Sequence, residues 1–537
     1  MAASPFSPET RAANLESLPH RDLDLLVIGG GITGAGVARD AALRGLSVAL
    51  IERTDWAAGT SSRSSKLIHG GVRYLEMGDV GLVREAANER IVLRRIAPHL
   101  TRPVRLVLPT YGRTTHMKLS LGLRLFETLA TVPDDEHYET WTRETALRTV
   151  PLLDGARLHG AVVFTEYVTD DARLVLDTVR GAHAAGAWCM NHAEVTELGG
   201  ERATVRDRLG GRTVAVRARV VVNAAGPWVD EVRRRAGALA GARLHLTKGI
   251  HLVVPRARLP VEQIVVMQAA DKRSAFAVPR GPVTYLGTTD TDYDAPTDHP
   301  EVTAEDADYL LDAANRTFAG PPLRREDVAA AWAGLRPLLH EEGKRPSEIS
   351  RKDEIMGAEN GLVSIAGGKL TTHRRMAERV VDLVVRRLDR EAGPCRTEAV
   401  PLPNGELPPP ELVALEATVA ARLGATAAER LVRLYGAGAA RLLARIDADP
   451  AAGEVLSAEA GVVRAEIDAA IDDGMALTLE DILERRTRLL LFDARQGLGC
   501  VDAVAAIAAH RLGWDAARTA DEIARYRGLA ESLRRFA

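Results

Sequence analysis

The stretch VIGGGITGAG places Gly29, Gly31 and Gly34 in a GxGxxG spacing. A short apolar run, LDLLVI (23–28), leads into it, and residues 32–43 follow with the small side chains of a closely packed helix. The first glycine permits a tight turn, the second lets the backbone approach a pyrophosphate, and the third lets helix and strand pack closely. The free N–H groups at the helix N-terminus then meet the phosphates. SVALIE (47–52) reads as the next strand and ends on Glu52, where a carboxylate takes the ribose hydroxyls. The chemistry implied is capture of a dinucleotide. An ordinary glycine turn would leave Glu52 without a role.

FAD is favoured over NAD by GTSSRSSKLIHGG (59–71), which has five hydroxyl residues among the six from Thr60 to Ser65. Small side chains dense in hydroxyl and N–H donors suit a ligand running along ribitol and phosphates. The alternative is a solvated serine-rich loop. The cofactor residues expected from these and later segments are Gly29, Gly30, Gly31, Gly34, Glu52 and Arg53; Thr60, Ser61, Ser62, Ser65, Lys66, Leu67 and His69; Ala225 and Gly226; and Gly368, Lys369, Leu370 and Thr371.

Positioning these residues requires a doubly wound sheet, for which strand, glycine turn, helix and strand are the opening. AVVFTE (161–166) and ARVVVNAAG (218–226) are expected to return to that same sheet, with a helix through DDARLVLDTVRGAHAAG between them. From Leu244 to Leu286 short Val/Ile-rich runs broken by Pro and Gly predict an antiparallel sheet roofing the substrate site. LVSIAGG (362–368) then rejoins the cofactor sheet and launches a long helix. The proline-rich VPLPNGELPPPE marks the clearest boundary, and the Ala-, Leu-, Arg- and Glu-rich remainder predicts a helical cap. The expected organisation is α/β: a Rossmann-like FAD-binding domain, an antiparallel-sheet substrate domain and a C-terminal all-helical cap. Its expected limits are a mobile tail over 1–21, the FAD-binding domain over 22–243 and 350–395, the substrate domain over 244–349, and the cap over 396–537.

A chain of 537 residues is long enough for several cores, and 46% apolar with 27% charged residues suits a folded enzyme. A formal net charge of -3 supplies no field for nucleic acid. The first twenty residues do not resemble a secretory signal, and no run reaches the roughly 18 apolar residues of a membrane span. Cys189, Cys395 and Cys500 are far apart with no CxxC pair, so neither a metal site nor a disulfide framework is expected, and a reducing cytoplasm suits them. Only seven of the 70 basic residues are lysines (66, 118, 248, 272, 344, 352 and 369). In so arginine-biased a chain each hints at a site wanting a compact ammonium.

VIGGGITGAG, TSSRSSKLIHGGVRYLE, VTDDARLV, VNAAGPWVD, LTKGIHLVVPR, LGTTDTDY, GLRPL and GGKLTTHRRMAE occur in order along the chain. Together they resemble FAD-dependent, quinone-linked glycerol-3-phosphate dehydrogenase over nearly the full length. The resemblance implies non-covalent FAD and oxidation of sn-glycerol 3-phosphate to dihydroxyacetone phosphate, with hydride passing from C2 to flavin N5 and electrons going on to a membrane quinone. It assigns Arg73, Arg336 and Arg351 to the substrate phosphate, with Tyr74 beside Arg73, because a planar guanidinium forms paired bonds to an oxyanion. Lys369 and Thr371 of GGKLTT fall to flavin or substrate, where a helix N-terminus stabilises negative charge. His251 on an apolar strand would alone be read as a hydrogen-bonded core residue; the resemblance makes it the general-base candidate, with Arg336 also serving catalysis. At His373 the family pattern leads one to expect an aromatic residue.

Three rival readings use the same residues. A glycerol-3-phosphate oxidase would pass electrons to oxygen, and the absence of a long insertion before GLRPL favours the dehydrogenase. An amine or amino-acid oxidase would bind a carboxylate, whereas several basic candidates favour a phosphate dianion. A flavin-binding scaffold would not need the basic residues, Lys369 and His251 together. ILERRTRLLLFDARQG (482–497) and ARYRGLAESLRRFA (524–537) mix Arg with apolar residues at helical spacing. They suggest peripheral attachment to anionic lipid on the cytoplasmic membrane face, with core packing as the alternative. A homodimer stays open.

Overall fold

The computed structural model describes residues 5–69, 80–129, 132–133, 136–238, 244–339, 353–357 and 361–536. Two large sheets divide the N-terminal two thirds. In the first, Asp22–Ile28 runs parallel to Thr213–Asn223 on one side and Val48–Ile51 on the other. Val363–Gly367 and Trp188–Met190 extend this parallel core outward. Its strands are apolar at nearly every position because both faces are covered: Leu25, Val27 and Leu50 pack in one buried cluster, and Leu23, Leu26 and Ile51 in another with Leu15 and the antiparallel strand residues Val195, Val205 and Val216. The helices Ile32–Leu43, Asp171–Ala184 and His373–Leu388 cover one of those faces.

The second sheet centres on Leu244–Pro255, which pairs antiparallel with Val283–Gly287 and with Ala330–Leu339. The expected antiparallel roof is therefore present, but its membership differs from the sequence reading. The strand Gly160–Val168, containing AVVFTE, pairs with Arg102–Thr110 and Leu67–Ile68 in this second sheet, not with the cofactor strands. A buried apolar run carries no label saying which sheet it joins. Residues 67–168 thus add strands to the substrate side from within the 22–243 segment.

The expected mobile tail is also different. Pro8–Ser17 is a helix capped by Ser7, with Phe6, Leu15 and Leu18 buried. Its Arg11 reaches Asp207 at 2.7 Å and the Asn191 carbonyl at 2.8 Å. Those partners lie some 180–196 residues away, beyond any local pattern.

Beyond Pro409 the chain is helical apart from a two-stranded ribbon, Val455–Ser457 with Val462–Val463. ILERRTRLLLFDARQG does not meet lipid. Leu489, Leu490, Leu491 and Phe492 are buried, and Arg485 and Arg486 grip the buried Asp55 of the cofactor domain at 2.6 Å each. Arg488 reaches Asp170 and Asp171 at 3.2 Å each. In Ala516–Ser532, Tyr526 and Ala530 are buried and Tyr526 donates to the Gln496 carbonyl at 2.6 Å, so that helix also packs inward.

Candidate active site

An elongated cleft is lined by residues of both large sheets. At one end Glu52 and Val195 line it, in the middle Gly29, Gly31 and Thr33, and at the other Pro337, Gly367, Gly368, Lys369 and Leu370. Each glycine of the turn has its own reason. Gly29 has φ of 109°, and a Cβ there would lie 2.6 Å from the Ala224 carbonyl oxygen. A Cβ on Gly34 would lie 1.9 Å from the Gly29 oxygen, so this residue lets helix meet strand. A Cβ on Gly31 would meet only Ser61 Oγ, at 3.2 Å, which leaves its remaining surface toward the cleft. Glu52 is held in place by N–H donors from Gly30 at 2.7 Å and Thr54 at 2.8 Å. Gly367 and Gly368, at φ of 78° and 75°, bend the chain from its strand toward Lys369 and the helix His373–Leu388.

The structure therefore brings Gly29, Gly31, Glu52, Arg53, Thr60, Ser61, Ala225, Gly226, Gly368, Lys369 and Leu370 to one cleft. Gly30, Gly34, Ser62, Ser65, Leu67, His69 and Thr371 are not among its lining residues. Gly30 and Gly34 shape the turn, Ser62 and Thr371 are buried beside it, Leu67 is a core strand residue, and His69 contacts Phe276. Lys66 corrects the sequence reading most clearly. Its ammonium is buried and bonds to Asp171 at 3.0 Å and to the Ser62 carbonyl at 2.7 Å. That charge belongs to an interior ion pair instead of the cofactor cleft. Arg73, Tyr74 and Arg351 lie outside the described residues.

Opposite the cofactor turn, one face of the second sheet carries the substrate-side candidates. His251 pairs with Trp332, Gly249 with Gly334, and Thr247 with Arg336, at alternate positions of two antiparallel strands. Side chains of these three rungs share a face, and the middle rung has none. Arg336 fills part of the gap: its guanidinium would lie 2.3 Å from a Cβ on Gly249. The Arg63 carbonyl comes within 2.7 Å of the Cβ position on Gly334. Thr60 Oγ1 donates to the Leu335 carbonyl at 2.6 Å, fastening the hydroxyl-rich segment to this face.

His251 is buried. Its ring stacks on Trp332 with centroids 4.7 Å apart at 11°, and its Nε2 lies 2.9 Å from Ser65 Oγ. A Cβ on Gly287 of the neighbouring strand would lie 1.9 Å from the ring, so glycine there makes room for it. Burial, with Lys66 and Arg336 adding to it, pushes the imidazole well below its ordinary pKa. The ring is therefore neutral at physiological pH. Arg336 donates to Asp290 at 3.1 Å and to Thr288 Oγ1 and the Thr289 carbonyl, also at 3.1 Å.

Sequence reasoning missed Asp290 and Trp332 as supports for these two residues. Asp290 stands in LGTTDTDY, but nothing local says that its partner is Arg336. Trp228, Ala193, Glu194 and Val195 also line the cleft, and Trp228 stacks under Arg53 at 4.5 Å. Sequence reading takes Ala225 and Gly226 from VNAAGPWVD but not Trp228, and no signal marks 193–195. His373 replaces the expected aromatic with a buried ring bonded to the Leu370 carbonyl at 2.8 Å, and burial pushes it down to about 4, so it too stays neutral.

Residues 24–383 match the FAD dependent oxidoreductase family and residues 395–519 match the C-terminal domain of alpha-glycerophosphate oxidase. The chain belongs to the FAD-dependent oxidoreductases. Relatives within that family include aerobic glycerol-3-phosphate dehydrogenases: that of Bacillus subtilis strain 168 is 40% identical over 532 residues, covering 95% of each chain. That of Staphylococcus aureus strain USA300 is 38% identical over 537 residues, covering 96% of this chain and 95% of the relative. The solved glycerol-3-phosphate dehydrogenase from Bacillus halodurans, complexed with FAD, superposes with a TM-score of 0.83 at 35% identity over 99% of both chains. L-alpha-glycerophosphate oxidase from Mycoplasma pneumoniae shares the fold at TM-score 0.55 and 17% identity, over 71% of this chain and 99% of that one. The cofactor is FAD, and the cleft fits it: a glycine turn opening a helix, a fixed carboxylate at one end and a left-handed glycine pair at the other.

Proposed function

We propose that this protein oxidises sn-glycerol 3-phosphate to dihydroxyacetone phosphate and passes the electrons to a membrane quinone. The observation that carries the reading is the sheet face on which His251 and Arg336 flank the side-chain-free Gly249–Gly334 rung, joined to the segment that lines the FAD cleft. The names of the 35–40% identical relatives support the substrate.

FAD, when bound, supplies a hydride acceptor for the C2 carbon. The protein must hold the phosphate, orient C2 and remove the hydroxyl proton. Arg336, its fork turned by Asp290, offers its guanidinium to an oxygen of the substrate; Arg73, Tyr74 and Arg351 remain proposed partners, as do Lys369 and Thr371 at the glycine pair. His251 is the proton acceptor. A buried imidazole N–H without an acceptor costs roughly 1–3 kcal/mol. The favoured tautomer therefore has Nε2 donating to Ser65 Oγ and the basic lone pair on Nδ1, which is itself buried.

Among the described residues no helix is long and apolar enough to cross a membrane. A peripheral contact is supported by Arg113–Leu129 in place of the C-terminal helices. Its Leu123 and Phe126 are buried, while Met117, Leu121 and Leu125 stand 61%, 70% and 51% exposed at four-residue spacing. Arg113, Lys118 and Arg124 are exposed on the same helix, a pattern suited to the boundary of an anionic bilayer. The cytoplasmic face remains the proposed location.

Anaerobic addition of sn-glycerol 3-phosphate to the purified holoenzyme, followed by air or a soluble quinone, tests substrate and acceptor in turn. The reading expects flavin bleaching and faster reoxidation by quinone. Faster reoxidation by air would make the protein an oxidase, and no bleaching would refute the substrate.

A further inference from the structure

Lys66 sits one residue beyond the serine that holds His251, yet its ammonium is directed to an interior carboxylate. Nζ bonds to both oxygens of Asp171 at 3.0 Å and to the Ser62 carbonyl at 2.7 Å. It also lies 5.0 Å from the centre of the Trp332 ring, and Trp332 is the ring on which His251 stacks. Trp332 Nε1 donates to the Arg63 carbonyl at 3.2 Å, and Tyr285 Oη donates to the Ser65 carbonyl at 2.9 Å. Ammonium, indole and imidazole are thereby fixed in one buried unit.

The ammonium is also tied to the C-terminal domain, because Arg488 reaches Asp171 at 3.2 Å. Asp171 and Asp170 together face Lys66, Arg488 and Arg280, so cations outnumber carboxylates in this pocket. A cation held near an aromatic face by buried partners gains attraction that water would otherwise screen.

We propose that Lys66 is a positioning residue for His251: its buried ammonium, pinned by Asp171, fixes Trp332 against the imidazole and opposes a second positive charge on that ring. The inference rests on reading His251 as the proton acceptor. The charged or titratable groups facing the ring are Lys66, Arg336 and Tyr285, with Ser65 and Trp332 as its neutral contacts. Arg336 is part-exposed and already paired with Asp290, whereas Lys66 has no access to solvent screening. Burial pushes Lys66 itself down to about 8 against the pull of Asp171, so it still carries its charge at neutral pH. A neutral ring can take the alcohol proton, and the adjacent charge then favours release of a proton from Nε2 to Ser65 Oγ, 2.9 Å away.

The test compares Lys66→Met and Lys66→Arg holoenzymes by their pH profiles. In Lys66→Met, FAD content and KM are expected to hold within about twofold. The acid limb of kcat should move up by about one pH unit, a tenfold gain in proton affinity. Lys66→Arg should restore the limb toward its original place. An unmoved acid limb in FAD-loaded Lys66→Met overturns the proposal. Where Lys66→Met does not fold, Lys66→Met with Asp171→Asn removes the unmatched carboxylate and is read the same way. The native holoenzyme supplies a third reading that needs no folding variant: the ring nitrogens of His251, assigned by loss of their signal in His251→Asn, should keep neutral-imidazole shifts well below the pH at which an ordinary imidazole titrates. Titration at or above the ordinary value overturns the proposal even if His251 is the base. Full activity in His251→Asn would instead refute the base reading and leave the charge relation to be judged by the titration.

Discussion

The cofactor cleft and the seam beneath the C-terminal domain bury polar groups by opposite means. In the cleft the work falls to backbone: a left-handed Gly29, a side-chain-free Gly34 against the Gly29 carbonyl, and a carboxylate held by two backbone N–H groups. In the seam it falls to long side chains. Asp55 is clamped by Arg485 and Arg486, and Asp171 by Lys66 and Arg488. Backbone devices use neighbours in sequence, whereas Asp55 and Arg486 are 431 residues apart. The first kind of site is portable and local; the second is a property of the assembled chain.

Two glycines break the comparison most sharply. Gly34→Ala should yield no soluble, folded protein, since its Cβ would lie 1.9 Å from a carbonyl oxygen of the same turn. Gly31→Val should fold but purify without FAD, because only Ser61 Oγ lies near its Cβ position. Flavin absorbance against far-ultraviolet circular dichroism separates the two outcomes, and retained FAD in Gly31→Val would count against the assigned turn.

The seam should fail next. Asp55→Ala leaves two buried guanidinium groups facing one another and should cost about 3–5 kcal/mol, read as a lower midpoint in denaturant. Its acid sensitivity has a definite sign. Burial alone raises the carboxyls of Asp55, Asp170 and Glu484, but the facing arginines outweigh it and hold all three below the ordinary range. Groups depressed in the folded state stabilise it fully above their unfolded values and lose that contribution as pH falls through the folded ones. Thermal stability should therefore decline below about pH 4, and Asp55→Asn should flatten that decline. His192 acts oppositely: burial lowers it, but Asp481 at 2.9 Å prevails and raises it, so its contribution fades as pH rises past neutrality.

This difference also explains what could be read from the sequence. The dinucleotide turn, the strand ending on Glu52 and the return through LVSIAGG were legible because each is defined by neighbours. His251 and Arg336 were legible only through the family motifs around them; their supports Trp332, Gly249, Gly334 and Asp290 follow from strand register, which a single run of residues does not state. ILERRTRLLLFDARQG was misread as lipid-facing because Arg and Leu at helical spacing look alike whether the arginines meet phosphate headgroups or buried aspartates. Met117, Leu121 and Leu125 had the right spacing for an exposed stripe, but spacing alone does not tell an outward face from a core face.

Smaller effects sharpen the substrate side. Arg336→Lys keeps the charge but loses the fork that bonds to Asp290 and substrate together, so kcat/KM for sn-glycerol 3-phosphate should fall roughly a hundredfold. An unchanged value would make Arg336 a purely structural partner of Asp290. The smallest effect on turnover should come from Met117→Ser, Leu121→Ser and Leu125→Ser together. Soluble-quinone activity should persist while flotation with anionic liposomes is lost; flotation unchanged from the native protein would remove this helix from the membrane contact.

The most direct measurement is the rate of flavin reduction in a single anaerobic turnover with sn-glycerol 3-phosphate, sn-glycerol 1-phosphate and glycerol. If the His251 and Arg336 face reads a phosphate dianion and presents C2 to FAD, sn-glycerol 3-phosphate bleaches the flavin with a saturating rate. The other stereoisomer and the phosphate-free alcohol then reduce it at least about a hundredfold more slowly. Equal rates for all three, or no bleaching by any, would contradict the account.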